Sequence, residues 1–251
     1  MKQNNVLDFH THIGNDKDGT DYTIEQLLKS MEETGITHSV VFPFDEREAT
    51  VEEASLQLYN KSMGHPLYTF FRFDPNDMTP ERLGERLNGF HGVKLHPRSQ
   101  DFDPLDERFF PLYEVISASE KPVLFHTRYE SVPDNPGQVR PNSNPDRIVQ
   151  LAEECPDLYL VVGHFGNLSS YVREMMKTHP RVYLETSILG STPKTMETVA
   201  SAVGANRLVF GSDAPYSDQL IERMKVDRSG LKLADKERVL YHNAAQLLRI
   251  G

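Results

Sequence analysis

Eight short apolar runs recur along this chain at intervals of about 30 residues, the size of one strand-plus-helix unit. In order they are NVLDFHTH (5–12), THSVVFPF (37–44), LYTFFRFDP (67–75), GFHGVKLHP (89–97), KPVLFHTR (121–128), LYLVVGHFG (158–166), RVYLETSIL (181–189) and NRLVFGSDAP (206–215). Each has strand length, and each is bounded by Gly, Pro or polar residues. Unbroken clusters such as Val40-Val41-Phe42 and Leu160-Val161-Val162 suit strands of a parallel sheet covered by helices.

The segments between the runs have helical periodicity. TIEQLLKSMEETG puts Ile24, Leu27, Leu28 and Met31 on one face, with Thr23 as the cap and Gly35 as the stop. VEEASLQLYNKSMG, TPERLGERL, RFFPLYEVISASE, NPDRIVQLAEECP, YVREMMKTHP and TPKTMETVASAVG follow the same logic, and several open on a cap residue followed by Pro. Eight such units in 251 residues have the count and length of a (β/α)8 TIM barrel, one α/β domain over 1–251. The competing architecture, a doubly wound open sheet, usually has a Gly-rich phosphate loop after its first strand. Here that strand ends in histidines. The C-terminal ADKERVLYHNAAQLLRI reads as an amphipathic helix closing the barrel, with Asn243 a helix feature. Tyr129–Asp146 is the longest irregular stretch, which in a compact domain is functional or mobile.

A formal charge of −10 argues against general affinity for nucleic acid or anionic membrane, both of which reward basic surfaces. Cys155 is the single cysteine, so neither an intramolecular disulfide nor a thiolate cluster is available. No apolar run approaches the roughly 18 residues of a membrane span, and no signal peptide fits the N-terminus. A cytoplasmic location is expected, and a homo-oligomer stays open.

Ten histidines carry the functional argument. In a barrel, chemistry sits at the C-terminal ends of strands. His10 and His12 end the first run, His96 the fourth, His126 the fifth and His164 the sixth, while Asp213 ends the eighth. Residues two apart share a strand face, so His10 and His12 point the same way. A lone His-x-His arises often by chance. Five histidines and an aspartate at five strand ends do not, because buried imidazoles without partners are costly. Imidazoles with a carboxylate are a ligand set for zinc and related divalent ions. His38, His65, His91, His179 and His242 read as packing, loop or surface residues.

DFHTH, GVKLHP, LFHT, GHFG, YLETS and FGSDAP, in this order, resemble the amidohydrolase superfamily over nearly the whole chain. The similarity is to the branch holding dihydroorotase-like metal-dependent hydrolases and the aminocarboxymuconate semialdehyde decarboxylase group. It implies that His10 and His12 bind a metal, that His126 and His164 follow them, and that Asp213 is a ligand or general base. Two-metal members use a bridging carboxylate, often a carboxylated lysine, and Lys94 stands where such a bridge would sit. Lys94 otherwise binds a substrate carboxylate or pairs with Asp213 or Glu185. With Lys94 unmodified, His10, His12, His126 and Asp213 hold a single ion, and His164 polarises substrate or carries protons. Zinc is the expected ion, with manganese or iron as alternatives.

The expected activity is hydrolysis of an amide, lactone or ester, with metal-activated water and Asp213 as general base. His96 is expected on the inward face with Lys94, one layer nearer the mouth, either touching substrate or supporting a metal ligand. Asp8 is expected on the face of His10 and His12, one layer deeper, as a buried acceptor. Glu185 either supports a ligand or is structural. Arg98, Arg128 and Arg140 suit a small anionic substrate, with Tyr216 and Ser217 nearby. Non-oxidative decarboxylation on the same site is the alternative. A phosphoesterase would tend to read Gly-Ser-Asp-Ala-His, where this chain has Pro215. A non-catalytic barrel predicts a degraded ligand set.

Overall fold

In the computed structural model, which describes residues 5–129, 131–132, 135–139 and 142–250, each of the eight runs carries a strand, the first continuing past its run to Asn15. They are β1 (Leu7–Asn15), β2 (His38–Pro43), β3 (Leu67–Arg72), β4 (Gly92–Leu95), β5 (Val123–Phe125), β6 (Leu160–Val162), β7 (Val182–Glu185) and β8 (Leu208–Val209). All pair in parallel with their sequence neighbours, and the order never reverses. That excludes the doubly wound alternative, whose order switches in the middle. A short strand, Asp21–Tyr22, adds antiparallel to the end of β1. The fold is therefore α/β with a curled, mostly parallel sheet. On its other side, three backbone bonds join β1 to the segment after β8: Phe9 N–H to Phe210 O, His12 N–H to Ala214 O and Asp213 N–H to His10 O, each 2.8 Å.

The helices form for the reasons their sequences give. Ile24–Thr34 has a full capping box between Thr23 and Gln26 and ends at Gly35 in the left-handed conformation. Val51–Ser62 has the same box, from Thr50 and Glu53. Pro193–Val203 opens on Thr192 with Pro at its first position. The C-terminal helix differs from expectation. It runs Leu233–Glu237, a π turn Arg238–His242, then Asn243–Leu248. Asn243 Nδ2 donates to the carbonyls of Ala205 and Leu208, at 2.8 and 2.7 Å, tying this helix to β8. Within Tyr129–Asp146 the described residues include a small antiparallel pair, 131–132 with 135–139. Among the described residues no helix is long and apolar enough to cross a membrane.

Two apolar clusters flank the sheet. The larger packs the outer strand face against helix residues such as Leu27, Leu58, Leu112 and Val172. The smaller, inner cluster joins Leu7, Phe9, Val40, Phe42, Phe70, Leu124, Val161, Tyr183 and Val209, with Leu247 and Leu248 of the last helix against it. This inner cluster is the floor on which the site stands.

Candidate metal centre and catalytic cavity

Strand alternation carries the inner floor up to the site. Two residues beyond Phe70, Leu124 and Tyr183 come Arg72, His126 and Glu185, so each lies on the inner face at the C-terminal end of its strand. β1 breaks the rule with a bulge. Its register to β2 shifts between Asp8 and Thr11. Leu7 and Phe9 belong to the inner cluster below the shift, while His10 and His12 point inward above it. Asp8 therefore does not share the histidines' face, contrary to expectation. Its carboxylate accepts from Ser212 N–H and Oγ, at 2.9 and 2.6 Å, and from Gln219 Nε2 at 2.8 Å. It fastens the segment bearing Asp213 to β1.

Asp213 is the hub. Its Oδ1 lies 3.1 Å from His10 Nε2 and 3.2 Å from His12 Nε2. Its backbone is left-handed, φ 63°, which turns the side chain back over β1. Burial works against its charge, yet His10 and His12 hold the carboxyl well below its ordinary range. Its Oδ2 makes no hydrogen bond among the described residues. On the far side of His10, Nδ1 lies 2.9 Å from Glu185 Oε2, with both side chains fully buried. Glu185 also accepts from the His164 backbone N–H at 3.2 Å and from Ser187 Oγ at 2.9 Å. Gly211 makes the room, since a Cβ there would stand 2.2 Å from Glu185 Oε1.

His164 arrives by an unusual route. The run read as strand through Gly166 leaves the sheet at Val162. His164 to Leu168 then form a left-handed turn with φ between 50 and 60°. Four of these five residues are not glycine, at a cost of about 1–2 kcal/mol each. The turn is held by Asn167 Nδ2, which donates to Thr127 O and Oγ1 at 2.9 and 3.0 Å, and by the burial of Phe165. His164 Nδ1 donates to Ser187 O at 2.8 Å. Its Nε2 is 3.1 Å from His126 Nδ1, and the His126 ring stacks on His96 at 3.9 Å. The ligand atoms of His10, His164 and Asp213 all lie within 4.8 Å of one another. The turn thus brings His164 into this cluster, while His126 leans on His96 beside it.

Lys94 is fully buried, with Nζ 3.4 Å from His10 Nε2 and 4.9 Å above the Phe42 ring. Burial brings its pKa down to about 7. Burial likewise lowers His12 to about 3 and holds His96 and His126 well below ordinary histidine. His10 differs. Burial and Lys94 push it down, but the Asp213 and Glu185 carboxylates outweigh them and raise it.

This network fits a divalent cation. The proton on His10 Nδ1 goes to Glu185, which aims the Nε2 lone pair at Asp213 Oδ1, another acceptor. His10, held between two carboxylates, favours a positive charge on this side, which either a second proton on Nε2 or a divalent cation beside Asp213 supplies. His12 Nδ1 is buried with no hydrogen-bond partner among the described residues.

Above the cluster opens a cavity of about 610 Å³, reached by His12, His96, His126, Asp213, Arg98 and Arg128. Tyr216 lines it too, and Ser217 borders an adjoining recess. Arg140 lies outside the described residues. Sequence reasoning missed Arg72, Ser99, Asp16, Asp18, Asp45 and Leu189, which also line the cavity. Arg72 had a signal, since it stands inside the third apolar run, two residues after Phe70. The loop residues had none.

A family model described as Amidohydrolase matches residues 7–250. No curated protein matches the chain significantly in sequence. Among solved structures, 5-carboxyvanillate decarboxylase from Sphingomonas paucimobilis superposes with a TM-score of 0.75 at 14% identity, over 99% of this chain and 100% of that one. Dihydroxybenzoic acid decarboxylase from Polaromonas, bound to manganese and 2-nitroresorcinol, gives 0.75 at 14%, over 98% and 97%. A candidate 2-pyrone-4,6-dicarboxylic acid hydrolase from Pseudomonas putida gives 0.73 at 19%, over 98% of both chains.

Proposed function

The chain belongs to the amidohydrolase family, and from that premise we propose that it is a metal-dependent hydrolase of small anionic esters, lactones or amides. We read its sheet as a closed eight-stranded barrel of one domain, on the strength of the backbone bonds between β1 and the segment after β8. The observation that carries the function is Asp213, held by two imidazoles through Oδ1 while its partly exposed side chain lines the cavity.

His10, His164 and Asp213 would hold one divalent ion, with His12 completing the set. Zinc or manganese suits these nitrogen and oxygen donors, and the Polaromonas decarboxylase binds manganese. Such an ion would supply the positive charge that activates water and polarises a carbonyl. Asp213 Oδ2 takes the water proton and returns it to the leaving group. His126 and His96, kept neutral by burial, offer hydrogen bonds to the substrate oxygens. Arg98 and Arg128 draw the substrate's anionic group into the cavity. Glu185 keeps His10 in the tautomer that presents Nε2.

Non-oxidative decarboxylation is the second reading, favoured by the two decarboxylases among the similar structures. Metal analysis of protein purified without chelator, followed by assays on pyrone lactone acids and hydroxybenzoates, separates the two. Ring-opened acid without carbon dioxide supports hydrolysis, and carbon dioxide release supports the second reading. A protein that carries no metal and takes none up defeats both.

A further inference from the structure

Among the described residues Arg72 is a buried cation without a carboxylate of its own. It is 2% exposed, at the inner C-terminal end of β3, and lines the cavity. Burying a guanidinium costs several kcal/mol unless an anion repays it. Here none does directly. Nη1 donates to Pro43 O at 3.0 Å and Nη2 to Ser99 Oγ at 2.9 Å, both neutral acceptors. Nε is buried with no partner among the described residues. The acidic groups around it are engaged elsewhere: Asp45 with Lys17 at 3.1 Å, Asp16 with Tyr216, and Glu46 with the Asn15 N–H at 3.1 Å.

A purely structural strut between β2 and the loop after β4 would not need a permanent charge. Two neutral acceptors are satisfied as well by an amide. Five N–H donors on a rigid plane, two of them committed, fit a carboxylate that pairs side-on with the remainder. Arg72 lines the cavity together with His96 and Arg98 and is not one of the three residues whose ligand atoms cluster, His10, His164 and Asp213. A carboxylate on Arg72 is therefore a different group from the carbonyl or carboxyl that reacts.

We propose that Arg72 is the specificity-determining anchor for a carboxylate remote from the reacting bond, so that the substrate carries at least two oxygen-bearing groups and belongs to the dicarboxylate class. This rests on the metal-dependent reading only for the identity of the second group. Ser99 positions the anchor through its hydroxyl, and the same residue's N–H reaches His96 Nδ1 at 3.3 Å, linking the anchor to the catalytic wall.

Calorimetric titration of metal-loaded protein tests this, with malonate, succinate and glutarate as probes and inorganic phosphate as the comparison. The wild type is expected to bind at least one dicarboxylate, and Arg72→Gln to bind it about 10- to 100-fold more weakly, the worth of a charged bidentate hydrogen bond. On turnover, Arg72→Gln is expected to raise KM far more than it lowers kcat. Arg72→Lys keeps the charge without the planar fork and serves if Arg72→Gln does not fold; it too is expected to lose about 10-fold or more. Unchanged dicarboxylate affinity in the folded variants, no binding by the wild type, or tighter Arg72-dependent binding of phosphate would each overturn the proposal. Arg72-dependent binding without any turnover would sink the hydrolase and decarboxylase readings and leave this one standing.

Discussion

His10 Nδ1 sits 2.9 Å from Glu185 Oε2, and neither side chain has any exposed surface. The contact fixes which nitrogen of His10 faces Asp213. It also makes Glu185 the common acceptor for His10, the His164 backbone and Ser187. Glu185→Gln keeps the volume but presents an NH₂ to one of these donors. Metal affinity is expected to fall about 10- to 100-fold, as for other groups that orient a ligating histidine. Competition titration against a chromophoric chelator measures it, and an affinity equal to wild type would mean that Glu185 is structural only.

Asp8 makes a pH-dependent prediction. Burial lifts its pKa from 3.8 to about 6, despite hydrogen bonds from Ser212, Gln219 and His10. A folded pKa above the unfolded one gives stability that is complete below about pH 4 and lost as pH rises through about 6. Asp8→Asn has no such proton to lose. In metal-free protein, the stability of wild type relative to Asp8→Asn is expected to drop by about 3 kcal/mol between about pH 4 and pH 7. Urea unfolding at both ends checks this, and a pH-independent difference would show that Asp8 keeps an ordinary pKa.

The strands were legible because each buried face is written as an apolar run, and the helix starts because Thr23, Thr50 and Thr192 are caps. His10, His12, His126, His164 and Asp213 were legible because chemistry collects where those runs end. Asp8 was misplaced because a bulge leaves no trace in hydropathy; the alternation from 8 to 10 looks intact in the sequence. The left-handed turn was hidden inside GHFG, which has the apolar character of a strand. Arg72 was readable by the same two-residue step that finds His126 after Leu124, but an arginine in an apolar run attracts less notice than a histidine.

The turn after Gly163 makes a steric prediction. A Cβ on Gly163 would stand 2.8 Å from the Phe125 carbonyl oxygen, which is backbone and cannot swing aside. Gly163→Ala is expected to cost about 1–3 kcal/mol and to weaken metal binding by displacing His164. Gly190, at φ 80° with nothing near its would-be Cβ, gives the control; Gly190→Ala should cost about 1 kcal/mol and leave metal binding alone. Thermal unfolding with metal titration tests the pair, and equal effects on metal binding would remove the turn from the site.

Asn167 is expected to behave as the turn's fastener. Its amide gives two bonds to Thr127, and its own φ is 50°. Asn167→Ala loses both bonds and keeps the left-handed strain, for about 1–3 kcal/mol. Asn167→Gly loses the bonds but relieves the strain, so it should be the more stable of the two. Chemical denaturation ranks them, and an alanine variant as stable as the glycine one would show that strain at this position is negligible.

Metal stoichiometry decides the role of Lys94. Its Nζ lies against His10 Nε2 and the Phe42 ring, and the described residues hold one cluster of His10, His164 and Asp213. A pKa lowered to about 7 by burial leaves a large neutral fraction near neutrality, which suits reaction with carbon dioxide as well as hydrogen bonding. A second ion would need a carboxylated Lys94 to bridge it to the first, together with further ligands from His126. His126 Nδ1 instead lies 3.1 Å from His164 Nε2, on the side of the first cluster, and its ring stacks on His96. One ion per chain is therefore expected, unchanged by added bicarbonate, with Lys94→Met retaining that ion while losing most activity. Elemental analysis of wild type and Lys94→Met, each with and without bicarbonate, measures this. Two ions in wild type that fall to one or none in Lys94→Met would establish the bridging role instead.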